Sequence, residues 1–214
     1  IYHTTLMDRS AKSLIFFVVL AANILSVQFD WTIGIYLTKP LLIPLLGWML
    51  LGSEWKKMCW IWIGLFFCWV GDVLLMLPMD LFLFGLASFL IAHLFYIRHF
   101  WGAWKRRSEP IRLVYLVGVA LYLIGLTAIL SPVLGEMRIP VIVYGLVISA
   151  MLLFALHAGA TDYAVGAVLF VLSDSVLALN KFHTSFLLAG SLIMLTYGLA
   201  QYFIVTGATR VEKV

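Results

Sequence analysis

Eight apolar runs, separated by little more than charged residues, prolines and glycines, take up almost the whole chain. They lie near residues 13 to 28, 31 to 52, 57 to 77, 80 to 100, 111 to 130, 138 to 156, 162 to 181 and 184 to 206. Each is long enough, or nearly so, to cross about 30 Å of hydrocarbon as a helix. With 64% hydrophobic and 11% charged residues, the chain lacks the polar surface to wrap helices that are apolar on every side. A soluble domain carries about 45 to 50% and about 25% of these classes. The expectation is an all-α membrane protein, a compact bundle of eight transmembrane helices forming one domain over residues 1–214. The short connections predict that successive helices are antiparallel neighbours. The start Ile1-Tyr2-His3-Thr4, without Met, is that expected of a cut N-terminus. Seven runs follow the first, which argues for a membrane helix there rather than a cleaved signal peptide.

On a soluble protein the net charge of +4 would suggest nucleic acid; in a membrane chain it marks cytoplasmic loops, and no nucleic-acid partner is expected. Taking alternate connections and both ends as one side collects Arg9, Lys12, Lys56, Lys57, Arg98, Lys105, Arg106, Arg107, Arg112, Arg210 and Lys213. The other side has Arg138 and Lys181, and Lys39 lies inside a span. The asymmetry predicts both termini on the cytoplasmic side. Compactness and minimal loops suggest a bacterial inner membrane, and nothing in the chain sets an oligomeric state. Cys59 and Cys68 sit nine residues apart in one expected helix, a rise of about 13 Å, too far to bond each other.

Within this apolar background two carboxylates stand out. Val70-Gly71-Asp72-Val73-Leu74-Leu75-Met76-Leu77 and Leu172-Ser173-Asp174-Ser175-Val176-Leu177-Ala178-Leu179 share one pattern, in the third and seventh spans, where a four-plus-four duplication would put them. Burying an ionised carboxylate in a bilayer costs several kcal/mol, so such acids face a bundle interior, find partners and mark functional pathways. The structural alternative is a fastener, each acid paired with Lys39 or a tyrosine. In the expected topology both acids and Lys39 fall in outer halves, the acids about 8 to 12 Å from the far helix ends, and share a cavity opening away from the cytoplasm. Two close acids in a poorly solvated cavity should not both be ionised, which divides them into an acid and its anionic partner.

Gly85, Phe89, His93 and Tyr96 line one face of the fourth span, and Tyr197 and Gln201 one face of the eighth. Tyr115 and Tyr122 share a face of the fifth. Such hydroxyls and amides bind a head group or bridge helices. His93 is the histidine set well inside a span; His3, His99, His157 and His183 fall at expected ends or loops, as solvated or interfacial groups. A metal site needs three or four ligands together, and the sequence shows no such cluster. Asn180, Lys181 and His183 mark the outer end of the seventh helix, suited to snorkelling or head-group contact. Trp60, Trp62, Trp69, Trp101 and Trp104 read as packing or interfacial anchors. No GxSxG elbow, phosphate-binding glycine loop or HExxH helix is present.

Lys39-Pro40, the stretch Gly71-Asp72-Val73-Leu74-Leu75-Met76-Leu77, the run from Gly85 through His93 and Tyr96 to Ile97, the run Gly166 to Ser173-Asp174, and Ala200-Gln201 together resemble the YhhN and TMEM86 family of lysoplasmalogenases. The resemblance spans about residues 39 to 203, and its specificity lies in order and spacing. It implies hydrolysis of the vinyl ether bond of a lysoplasmalogen to a fatty aldehyde and glycerophosphoethanolamine or glycerophosphocholine. It implies a lysophospholipid substrate in a membrane-lipid setting, with no cofactor and no metal. Asp72 and Asp174 would then be catalytic, one donating the proton and the other stabilising the cation and activating water. Lys39 would pair with the nearer acid or hold the phosphate. His93, Tyr96, Tyr197 and Gln201 would orient water or substrate, with Ser173 and Asn180 in support.

A rival reading is a lipid or amphiphile transporter with the acids as proton relays. Lys39-Pro40 is one candidate helix break, yet no proline interrupts the sixth span at the matching place. A metal-dependent lipid hydrolase would call for several intramembrane histidines, and a structural protein would leave two costly carboxylates without a purpose.

Overall fold

The computed structural model describes residues 2–107 and 110–211, with side chains from residue 9 to 210. These residues form eight α-helices, one 3-10 turn at Gly135–Met137 and no strand. They are α1 (Tyr2–Gln28), α2 (Thr32–Leu50), α3 (Trp55–Met76), α4 (Phe82–Arg107), α5 (Leu113–Leu130), α6 (Arg138–His157), α7 (Thr161–Phe182) and α8 (Ala189–Val211). All eight are long and apolar enough to cross a membrane; the chain is an integral, multi-pass membrane protein. Lys213 and the His3 side chain lie outside the described residues.

Side-chain contacts at the helix ends fix how the bundle is strung. Arg9, at the start of α1, donates to the Thr206 carbonyl and to Thr209 near the end of α8. Arg210 at that end meets Asp162 at the start of α7 at 2.7 Å. Lys12 Nζ donates to the Trp48 carbonyl near the end of α2, and Arg107 Nη1, closing α4, donates to the carbonyl of Gly159 in the turn between α6 and α7 at 3.2 Å. The opposite end gathers Ser191 of α8 with Gln28 of α1, Tyr36 of α2 with Met76 of α3, and Phe82 of α4 with Phe182 of α7. Odd and even helices thus alternate in direction, and the first of these ends carries most of the basic residues.

Neighbourhood in sequence is neighbourhood in space except at one step. The principal partners of α4 are α3 and α6, while α5 stands outside, against α6 and α7. The expectation of antiparallel neighbours at every connection is corrected there. α5 buries only Leu130; the hydroxyls of Tyr122 and of Ser175 on α7 are hydrogen-bonded at 2.7 Å, and the apolar remainder of its surface suits lipid. The interior is organised on α8, which packs on α7, α1, α2 and α3.

Pro40 and Pro44 lie inside α2. Pro44 has no N–H for the Pro40 carbonyl, and the indole Nε1 of Trp69 on α3 donates to it instead at 3.0 Å. The freed backbone acceptor is satisfied by a neighbouring helix, as a bilayer demands. Both cysteines are free thiols. Two histidines depart from expectation. His99 and His157 are buried, because α4 runs on to Arg107 and because the ring of His157 accepts the Arg112 backbone N–H across the foot of α5. His99 pairs with the Tyr163 hydroxyl at 2.8 Å. His183 is exposed.

Candidate active site

Small residues bring the walls together. A Cβ on Gly71 would sit 2.7 Å from the ring of Phe89, and one on Gly85 would sit 2.6 Å from Leu75. The two glycines let α3 and α4 close on each other and bring Phe89 beside Asp72. On the far wall, Ser173 Oγ donates to the Ile193 carbonyl at 3.1 Å, fastening α7 to α8 one residue before Asp174.

Asp72 is 3% exposed. Its Oδ2 accepts the Tyr197 hydroxyl at 2.6 Å, and its Oδ1 lies 3.8 Å from Lys39 Nζ. Asp174, half-buried, accepts a hydrogen bond from Tyr144 on α6 at Oδ2, and no cation is paired with it among the described residues. The two acids therefore differ: one has a counter-ion and a hydroxyl, the other a hydroxyl alone.

Both acids line one cavity of about 650 Å³, together with Lys39, Ser173 and Tyr197, within the usual size of small-molecule sites. Its flanks are apolar, including Leu74, Phe89, Leu177 and Met194. It reaches the end of the bundle opposite the cluster of basic residues, where Asp80 and Lys181 stand 4.0 Å apart. A recess of about 40 Å³, walled mostly by apolar side chains, borders Asp174 and Tyr144.

The other expected site residues lie elsewhere. Tyr96 donates to Gln201 Oε1 at 2.7 Å in the buried interior. His93, fully buried, sits edge-on to Phe170 and Tyr144, with no hydrogen-bond partner for either ring nitrogen among the described residues. None of these three lines the cavity. Asn180 accepts the Phe186 backbone N–H at 3.3 Å and so shapes the turn after α7. Tyr144 carried no signal in sequence: it is one tyrosine in an apolar run, and the packing of α6 on α7 gives it its place. No group of three His, Cys, Asp or Glu residues is assembled as a metal site among the described residues.

The model of the YhhN family matches residues 34–208. The chain is 35% identical over 141 residues to the lysoplasmalogenase TMEM86B of Mus musculus, covering 66% of this chain and 59% of that protein. It is 37% identical over 142 residues to the Homo sapiens TMEM86B, with the same coverage of 66% and 59%. A lysoplasmalogenase of Mycobacterium tuberculosis is 38% identical over 123 residues, 52% of this chain and 46% of that one. The chain thus spans about 59% of the length of the mammalian relatives it matches. No solved structure is significantly similar.

Proposed function

The chain belongs to the YhhN family, and from that premise we propose that it hydrolyses the vinyl ether bond of a lysoplasmalogen, by acid catalysis from Asp72 and Asp174. The observation that carries the proposal is the single cavity lined by both carboxylates, with a lysine beside one of them. Relatives named lysoplasmalogenase support the substrate class.

Asp174, without a counter-ion, is assigned as the acid, and Asp72, beside Lys39, as the anion. Asp174 gives its proton to the alkene carbon remote from the ether oxygen. The π electrons form the new C–H bond, and the carbon bearing oxygen becomes an oxocarbenium ion. Anionic Asp72, oriented by Tyr197, stabilises this charge in a site poor in water. A water molecule then adds to the cationic carbon and returns a proton to Asp174. The resulting hemiacetal shifts its hydroxyl proton to the ether oxygen and breaks the C–O bond, releasing aldehyde and glycerophospho-alcohol. Every atom and proton is accounted for by substrate, water and one returning carboxyl proton. His93, packed edge-on to Tyr144, is assigned as a positioning residue that acts through that tyrosine, and the Tyr96–Gln201 pair braces the interior behind the site.

The apolar flanks suit a single hydrocarbon tail, and Asp80 and Lys181 at the mouth suit a zwitterionic head group. By the positive-inside rule, the basic end and both termini face the cytoplasm and the mouth faces away; a bacterial inner membrane is the proposed setting.

The test is aldehyde release by the purified protein from a lysoplasmalogen, its alkyl-ether analogue and an acyl lysophospholipid, for wild type, Asp72→Asn and Asp174→Asn. Release from the vinyl ether alone, lost in both variants, is expected. No release by folded wild type would remove the substrate and favour an amphiphile transporter; turnover surviving in either variant would remove the acid pair.

A further inference from the structure

At the opposite end of the bundle from the acids lies a second cavity, of about 400 Å³, walled by the start of α3, the last turns of α4, and α7 and α8 where they meet. Four cations line it: Lys56 and Lys57 from α3, Arg98 and Arg106 from α4. Lys57 meets Glu54 at 3.2 Å. No carboxylate is paired with Lys56, Arg98 or Arg106 among the described residues. Arg98 lies over the rings of Trp60 and Trp101, at 5.2 and 5.6 Å; stacking occupies the face of a guanidinium and leaves its edge N–H groups free to donate. The polar floor is the His99 and Tyr163 pair.

Four like charges around one cavity repel one another, and one exposed carboxylate does not balance them. A multiply charged anion that accepts from the guanidinium and ammonium groups lining the cavity would offset this repulsion, and that is the chemistry of phosphate. We propose that this cavity binds a phosphate-bearing anion, and that its occupancy ties the start of α3 to the last turns of α4. Tryptophans beside it mark the depth of lipid head groups, so the phosphate comes either from an acidic lipid or from a soluble phosphoester. This site is separate from the acid cavity and does not depend on the reaction assigned there.

The experiment follows thermal unfolding of the full chain by tryptophan fluorescence in phosphatidylcholine nanodiscs, in two arms: with cardiolipin added to the lipid, or with pyrophosphate added to the buffer. Wild type is expected to unfold at a higher temperature in at least one arm, and the responding arm names the source. The Arg98→Gln/Arg106→Gln variant is expected to bind at least ~10-fold more weakly. Lys12→Gln, a cation at the same end but outside the cavity, is expected to respond like wild type. Absence of a shift in both arms, an undiminished shift in the double variant, or an equal loss in Lys12→Gln would overturn the site. Should the double variant not fold, Glu54→Gln, which frees Lys57, is expected to tighten binding of the responding anion about 3-fold; unchanged or weaker binding would overturn it as well.

Discussion

Lys39→Met asks whether the ion pair in the acid cavity serves the reaction or only the fold. Lys39 Nζ is 3.8 Å from Asp72 Oδ1, and at an effective dielectric of about 20 a unit pair at that distance is worth ~4 kcal/mol. The two side chains are 15% and 4% exposed, so water and salt reach the lysine and screen part of this, leaving ~2 to 4 kcal/mol. If the transition state requires an anionic Asp72 opposite the oxocarbenium carbon, a site without Lys39 rests with that carboxyl neutral and must first ionise it unaided, and this cost is added to the barrier. The expected fall in kcat is ~30- to ~900-fold, with Lys39→Arg retaining most of the rate. The assay is the initial rate of aldehyde release in nanodiscs, over a range of lysoplasmalogen concentrations. A kcat within ~3-fold of wild type would refute the reasoning. If KM alone rises, and a phosphate-free alkenyl glycerol does not feel the substitution, the lysine serves as a head-group contact instead.

Tyr144→Phe removes the hydroxyl that donates to Asp174, and a charge-assisted bond in a buried site is worth ~1.5 to 3 kcal/mol; kcat is expected to fall ~10- to ~150-fold with little change in KM, read in the same assay. Gly166→Ala puts a Cβ 2.9 Å from the Ala200 carbonyl oxygen, a backbone atom that cannot turn aside. The cost is expected at ~1 to 3 kcal/mol, seen as a lower unfolding temperature in detergent, and an unchanged temperature would mean that α7 and α8 part easily.

The eight helices were legible because a bilayer leaves the chain little choice: apolar length and charge punctuation define spans. The shifts at the ends have local causes. α4 continues to Arg107 because Arg98, Lys105 and Arg106 can stand in the interface without breaking helical hydrogen bonds. α8 begins at Ala189 rather than near 184, because Asn180 caps the intervening turn through the Phe186 N–H. The position of α5 was not legible, since Tyr115 and Tyr122 mark one face without saying which helix it meets, and the apolar remainder reads the same whether lipid or protein surrounds it.

Much the same logic separates what could be read of the site from what could not. Asp72, Asp174 and Lys39 announce themselves because charge in hydrocarbon is costly wherever it lies. Their shared cavity follows once α3 and α7 face each other with their acids at one depth. Tyr144 is different. A tyrosine can be buried, interfacial or lipid-facing at little cost, so only the packing of α6 against α7 gives its hydroxyl a carboxylate. Ser173 carries the opposite lesson: adjacent in sequence to an acid and a lining residue of the cavity, it spends its hydroxyl on the Ile193 carbonyl. Proximity in sequence placed it at the site, and the hydrogen bond makes it a fastener. The two acids are therefore told apart not by their own near-identical surroundings in sequence but by what α2, α6 and α8 bring: a lysine and a tyrosine to Asp72, a lone tyrosine to Asp174. In the proposed reaction that inequality would let one carboxyl group carry a proton while the other faces a cation, which two equivalent acids could not do at once.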